Sequence, residues 1–96
     1  MIFGVILSNK EYAEFYPELL AFVQQHFAEV RSGLQGDAWI WIERGDERVA
    51  LDTFSAMQFE IKSNRTSRQL LELVISKLKS AFDLDIYAEP ELEAHE

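Results

Sequence analysis

The chain reads as an α+β protein, two-layered, with two helices on one face of a mostly antiparallel sheet in the order β-α-β-β-β-α-β. Three observations predict this class. Between Asp37 and Lys62, three runs alternate with period two, and each ends in turn residues. A stretch before that meander and another after it carry apolar residues at helical spacing. Short apolar or alternating runs stand at each end of the chain, from Ile2 to Leu7 and from Asp83 to Tyr87. Strand runs flanked by single helices suit helices packed on one side of a sheet.

Ile2 to Leu7 is apolar on both pleat faces, as a central strand requires. Ser8-Asn9 ends it, and Asn9 is placed to cap a helix. A helical pattern then runs from about Lys10 to Arg31. Tyr12, Tyr16, Leu19, Leu20, Val23, Phe27 and Val30 share its stripe. Proline is comfortable only in a first turn, so the main helix starts at Pro17 or a short first turn is kinked there. Phe15, Phe22 and His26 flank the stripe. Packing against a neighbouring element, such as the last strand, accounts for them; a second interaction surface is the alternative.

Gly45-Asp46 is a Gly-X turn signal. A hairpin centred there pairs Arg44 with Glu47, Glu43 with Arg48, Ile42 with Val49 and Ile40 with Leu51. A second, three-residue turn from Phe54 to Ala56 would pair Leu51 with Phe59 and Val49 with Ile61. That register gathers the aliphatic residues on one buried face. The other face then holds Trp39, Trp41, Glu43, Arg48, Ala50, Asp52, Gln58, Glu60 and Lys62. Two tryptophans facing water on a polar sheet face require a reason.

Thr66 and Gln69 form a capping box. The second helix is expected from about Ser67 to Ala81, with Leu71, Val74 and Leu78 as core anchors. Asp83 to Tyr87 alternates as a short last strand, stopped by Pro90. Residues 1–88 therefore form one domain, and residues 89–96 an acidic tail expected to be disordered.

The net charge of −8 is unevenly placed. Residues 83–96 hold six acids and no Lys or Arg, leaving eleven acids against nine bases in residues 1–82. A duplex phosphate backbone would be repelled by the tail and not attracted by the body. The absence of cysteine removes disulfides, thiolate metal sites and a Cys nucleophile, and fits a reducing, cytoplasmic setting. The first apolar run is too short for a signal h-region or a membrane span.

No His-x-x-x-His, phosphate loop or Ser/His/Asp set is visible, and no metal or cofactor is expected. Asp52 and Glu60 could stand together as an acid–base pair, but on a flat face with nothing to desolvate them. Lys62, Arg65 and Arg68 surround the second helix start and form a candidate anion site, with docking of the acidic tail as a variant. The candidate interaction face is Trp39, Trp41, Arg48, Asp52 and Gln58, since tryptophan buries a large rigid area on binding. The expected function is a non-catalytic protein-interaction or regulatory module, a homodimer through the Trp39/Trp41 face in its simplest form. The alternatives are a single-stranded nucleic acid binder stacking bases on the same tryptophans, and a small enzyme with an unadvertised pocket.

Overall fold

The computed structural model describes residues 1–64 and 68–93. The elements are β1 (Ile2–Leu7), α1 (Tyr12–His26), β2 (Glu29–Gln35), β3 (Asp37–Arg44), β4 (Glu47–Asp52), β5 (Glu60–Ser63), α2 (Arg68–Lys79) and β6 (Asp83–Glu91). The strands form one sheet in the order β2-β3-β4-β5-β1-β6. Every neighbouring pair is antiparallel. The mixed α+β class with two helices and an antiparallel sheet is thus as expected, with one strand more.

The additional strand is β2. The first helix ends at His26, and Phe27 is already extended at φ −134°, ψ 140°. Val30 belongs to a strand and pairs with Ile42. Pro17 lies inside α1 rather than at its start, and the cap is Glu11 rather than Asn9. The chain reverses at Gly36, whose carbonyl accepts a hydrogen bond from the Tyr12 hydroxyl.

The first hairpin has the expected register, with Ile40 opposite Leu51 and Ile42 opposite Val49. Gly45 takes φ +63° in its turn, a conformation that glycine adopts without a Cβ clash. The second connection differs from expectation. Leu51 faces Ile61, not Phe59, and Val49 faces Ser63. The loop therefore spans residues 53–59 instead of three residues. Backbone and side chain of Thr53 clip it to Ala38, each bond 3.0 Å. A two-residue shift keeps every side chain on its face. Ile40, Ile42, Val49, Leu51, Phe59 and Ile61 are accordingly all buried.

Both helices cover that face. Phe15, Leu19 and Val23 of α1 join Leu70, Leu71, Val74 and Leu78 of α2 in one cluster with the strand aliphatics. Phe82, just before β6, closes one end: its ring stands edge-on to Phe15 at 5.3 Å and to Phe22 at 5.1 Å. Phe15 and part of Phe22 are thereby packed inside the monomer, while His26 stays exposed beside the Phe22 ring. α2 ends at Lys79, two residues before the expected Ala81, while Ser67 at its expected start and Thr66 of the capping box lie outside the described residues. β6 runs through Pro90 to Glu91, beyond its expected end. Proline is tolerated there because β6 is an edge strand.

Candidate interaction face

Directly opposed residues share a sheet face, so the ladders define the face turned away from the helices. One row crosses all six strands as Arg31, Trp41, Ala50, Lys62, Ile2 and Glu91. A second row runs Gly33, Trp39, Asp52, Glu60, Val5 and Asp85. Trp39, Trp41, Asp52 and Lys62 are thus brought together on neighbouring rungs.

The β2 end of the face is aromatic. Trp39 and Trp41 have ring centroids 4.8 Å apart and are both half-buried. A Cβ on Gly33 would stand 2.6 Å from the Trp39 Nε1 and 2.7 Å from its Cε2, so the indole occupies the space that glycine leaves empty. The Arg48 guanidinium lies 4.3 Å from the Trp41 ring centroid, a cation–π contact. Glu43 ties this end together, 3.2 Å from Arg48 Nη2 and 3.0 Å from Arg31 Nε. The expectation of two water-facing tryptophans is moderated by Gly33, which lies in the unforeseen strand, and by Arg48.

Charge is buried further along the face. Lys62 is 4% exposed, Asp52 3% and Glu60 7%. Lys62 Nζ stands 2.6 Å from Asp52 Oδ1, 3.9 Å from Glu60 Oε1 and 3.6 Å from Glu93 Oε1. The contact with Asp52 is close, yet neither Lys62 Nζ nor Glu60 Oε1 has a hydrogen-bond partner of acceptable geometry among the described residues. Burial holds the Glu60 carboxyl above the ordinary carboxylate range. Lys62 opposes that, while Asp52, Glu93 and Glu91 reinforce it. The Tyr87 phenol is also held up, by burial and by Glu91, Glu60 and Asp85. Phe54, in the loop before β5, is 53% exposed with its ring 5.7 Å from Lys62 Nζ. A cleft of about 460 Å³ opens here, lined among others by Arg48, Ala50, Asp52, Lys62, Leu92 and Glu93.

Two other expected residues stand elsewhere. Gln58 lies in the 53–59 loop, its side chain donating to the Ser8 carbonyl at 3.4 Å. Lys62 engages Asp52, and Arg68 engages Glu72 at 3.5 Å on an exposed helix turn. Those two bases of the candidate anion site therefore serve different acids, and Arg65 lies outside the described residues.

Among the described residues no group of three or more His, Cys, Asp or Glu is arranged to hold a metal ion. Among them, too, no helix is long and apolar enough to cross a membrane. Comparison with known protein families, curated proteins and solved structures finds no match to this chain.

Proposed function

We propose that this chain is a small acidic protein-interaction module of the cytoplasm, without catalytic activity of its own, that docks a protein through the sheet face turned away from its helices. One observation carries the reading: the Trp39–Trp41 pair is only half-buried on a face that neither helix covers. Tryptophan is enriched among the few residues, at the desolvated centre of an interface, that carry most of the binding energy between proteins. Six strands at about 4.8 Å spacing make a face about 24 Å wide, broad enough to present most of a protein interface. The simplest partner is a second copy, since two-fold pairs are the commonest assembly.

Base stacking by single-stranded nucleic acid is disfavoured by charge. Arg31, Arg48 and Lys62 are each already engaged by a carboxylate, which leaves little positive potential for phosphates.

Light scattering across a concentration series tests the reading. The wild-type chain should reach the mass of a dimer, and the double variant Trp39→Ala/Trp41→Ala should stay monomeric while remaining folded by circular dichroism. A wild-type chain monomeric at all concentrations contradicts the two-copy form. A double variant that dimerises like the wild type contradicts the face.

A further inference from the structure

The two edges of the sheet are not alike. A free edge strand is a template for pairing with another chain, and proteins blunt it with proline or with a broken register. β6 has both: Pro90 lies within it, and its ladder to β1 shifts register between Ile2 and Gly4. β2 has neither. Its seven residues pair with β3 without a break, from Glu29 opposite Glu43 to Gln35 opposite Asp37, and none is proline. Among the described residues β2 pairs only with β3, and no turn or cap bond reaches its main chain. Alternate residues of β2 therefore turn their amide and carbonyl away from the sheet. Leu34, 44% exposed, stands at this edge, as does Arg31, whose side chain is 68% exposed. Between them Gly33 lies under the Trp39 indole.

We infer that β2 is the seam along which a second copy docks, its own β2 running antiparallel and extending the sheet across a two-fold axis at Ser32. The residues of β2 are complementary to themselves in that register. All seven are used, with Glu29 opposite Gln35, Val30 opposite Leu34, Arg31 opposite Gly33 and Ser32 opposite itself. No like charges meet. Val30 and Leu34 lie on the helix-covered side, beside Ile42 and Ala38, so each exposed leucine gains an apolar cross-strand neighbour. On the open side, Arg31 of the second copy comes opposite Gly33, against the Trp39 indole that covers it, where a cation–π contact forms. Moving the axis to Arg31 would set two guanidinium groups face to face. Moving it to Gly33 or Val30 would separate Val30 from Leu34. The helices do not obstruct the seam. α1 lies beneath β2 and β3, and at about 4.8 Å per strand its two copies come about 10 Å apart, the distance at which helices pack. This deepens the two-copy reading by naming where the copies join and why Trp39 matters there, and it rests on that reading for the second copy.

Disulfide cross-linking of the full chain tests the seam, since the chain has no cysteine of its own. On the two-fold axis Ser32 faces itself at the Cα separation of a cross-strand pair, about 4.5–5.5 Å, which a disulfide spans. Under mild oxidant Ser32→Cys should form a covalent dimer roughly tenfold or more faster than Glu29→Cys, because an opposed thiol acts at an effective concentration of about millimolar. Glu29→Cys mixed with Gln35→Cys should link one chain to the other. Both of these positions are exposed, so the mixture reads the register even where Ser32→Cys disturbs the strand. Light scattering of the wild-type chain runs alongside. A wild type monomeric at every concentration overturns the two-copy reading and the seam with it. A dimeric wild type, with neither Ser32→Cys nor the mixture linking faster than Glu29→Cys alone, overturns the seam and leaves the two-copy reading standing. Linking by Ser32→Cys without linking in the mixture overturns the antiparallel register.

Discussion

The two faces of this sheet bury side chains by different physics. Under the helices, Ile40, Ile42, Val49, Leu51 and Ile61 are 0% exposed and surrounded by other hydrocarbon. On the other face Ile2 is buried at its β1 position, but the remaining comparably buried residues are Asp52, Glu60 and Lys62, held among one another's charges. Hydrocarbon burial is non-directional and tolerates a shifted register as long as parity is kept. Buried charge is not tolerant: each ion needs a named partner at short range, and removing one leaves the others uncompensated. The helix-covered face is a core, whereas the open face is a surface that carries buried chemistry without a covering element.

The largest expected effect lies under the helices. Leu78→Ala should cost roughly 2–5 kcal/mol, because α2 cannot collapse into the hole it leaves. Leu71→Ala, at a slightly more accessible site, belongs at the lower end of that range. Urea unfolding midpoints check both, and an unchanged midpoint for the pair breaks the assignment of this face as the core. Lys62→Met follows, at about 3 kcal/mol, the low end for a broken buried pair since the cleft is open to water. Removal of Asp52 as well, as Lys62→Met/Asp52→Asn, should recover part of that loss. If the double variant is no better than the single one, the charges of the open face are not coupled as described.

Gly33→Ala comes next. Its methyl would meet the Trp39 indole and should cost about 1–3 kcal/mol through overpacking. It should also change the tryptophan emission, which a purely backbone effect on β2 would not do.

The smallest effect is on pH. The Glu60 carboxyl is raised in the fold, so the native state binds more protons than the unfolded chain between the ordinary value of 4.5 and the raised one. Stability attributable to this group is thus present below that window and lost as pH rises through it. Glu60→Gln removes the loss. Its melting temperature should exceed that of the wild type at neutral pH, with the difference shrinking on acidification below the window. A constant difference at every pH would show that the effect is not ionisation.

The contrast between the faces also explains what could be read without coordinates. Parity alone identified the aliphatic face, because the two-residue shift of β5 changes partners but not sides. Partners are what the open face depends on. The expected register set Lys62 opposite Arg48 and Gln58 opposite Asp52. The longer loop moves Lys62 opposite Ala50, beside Asp52, and draws Gln58 out of the sheet. β2 was hidden for a different reason. Val30 falls three residues after Phe27 and fits a helical stripe as well as a strand, and no Gly or Pro stands between His26 and Glu29 to end the helix. With β2 went Arg31 and the cover that Gly33 gives Trp39. Docking of the acidic tail is a variant of the expected anion site, and Glu93, 3.6 Å from Lys62, agrees with it as far as that one base goes; what composition does not show is the continuation of β6 past Pro90 that carries Glu93 there.

For docking of a second molecule on the open face, the chain provides its own reporter. Trp39 and Trp41 are its only tryptophans, so all tryptophan emission arises from this face. Acrylamide quenching of that emission, followed on dilution alongside the solution mass, tests such docking directly. Quenching should be weak while the mass is that of a dimer, and stronger as the dimer dissociates and the indoles return to water. Quenching that stays constant while the mass falls from dimer to monomer would contradict it, because the two copies would then meet through another surface.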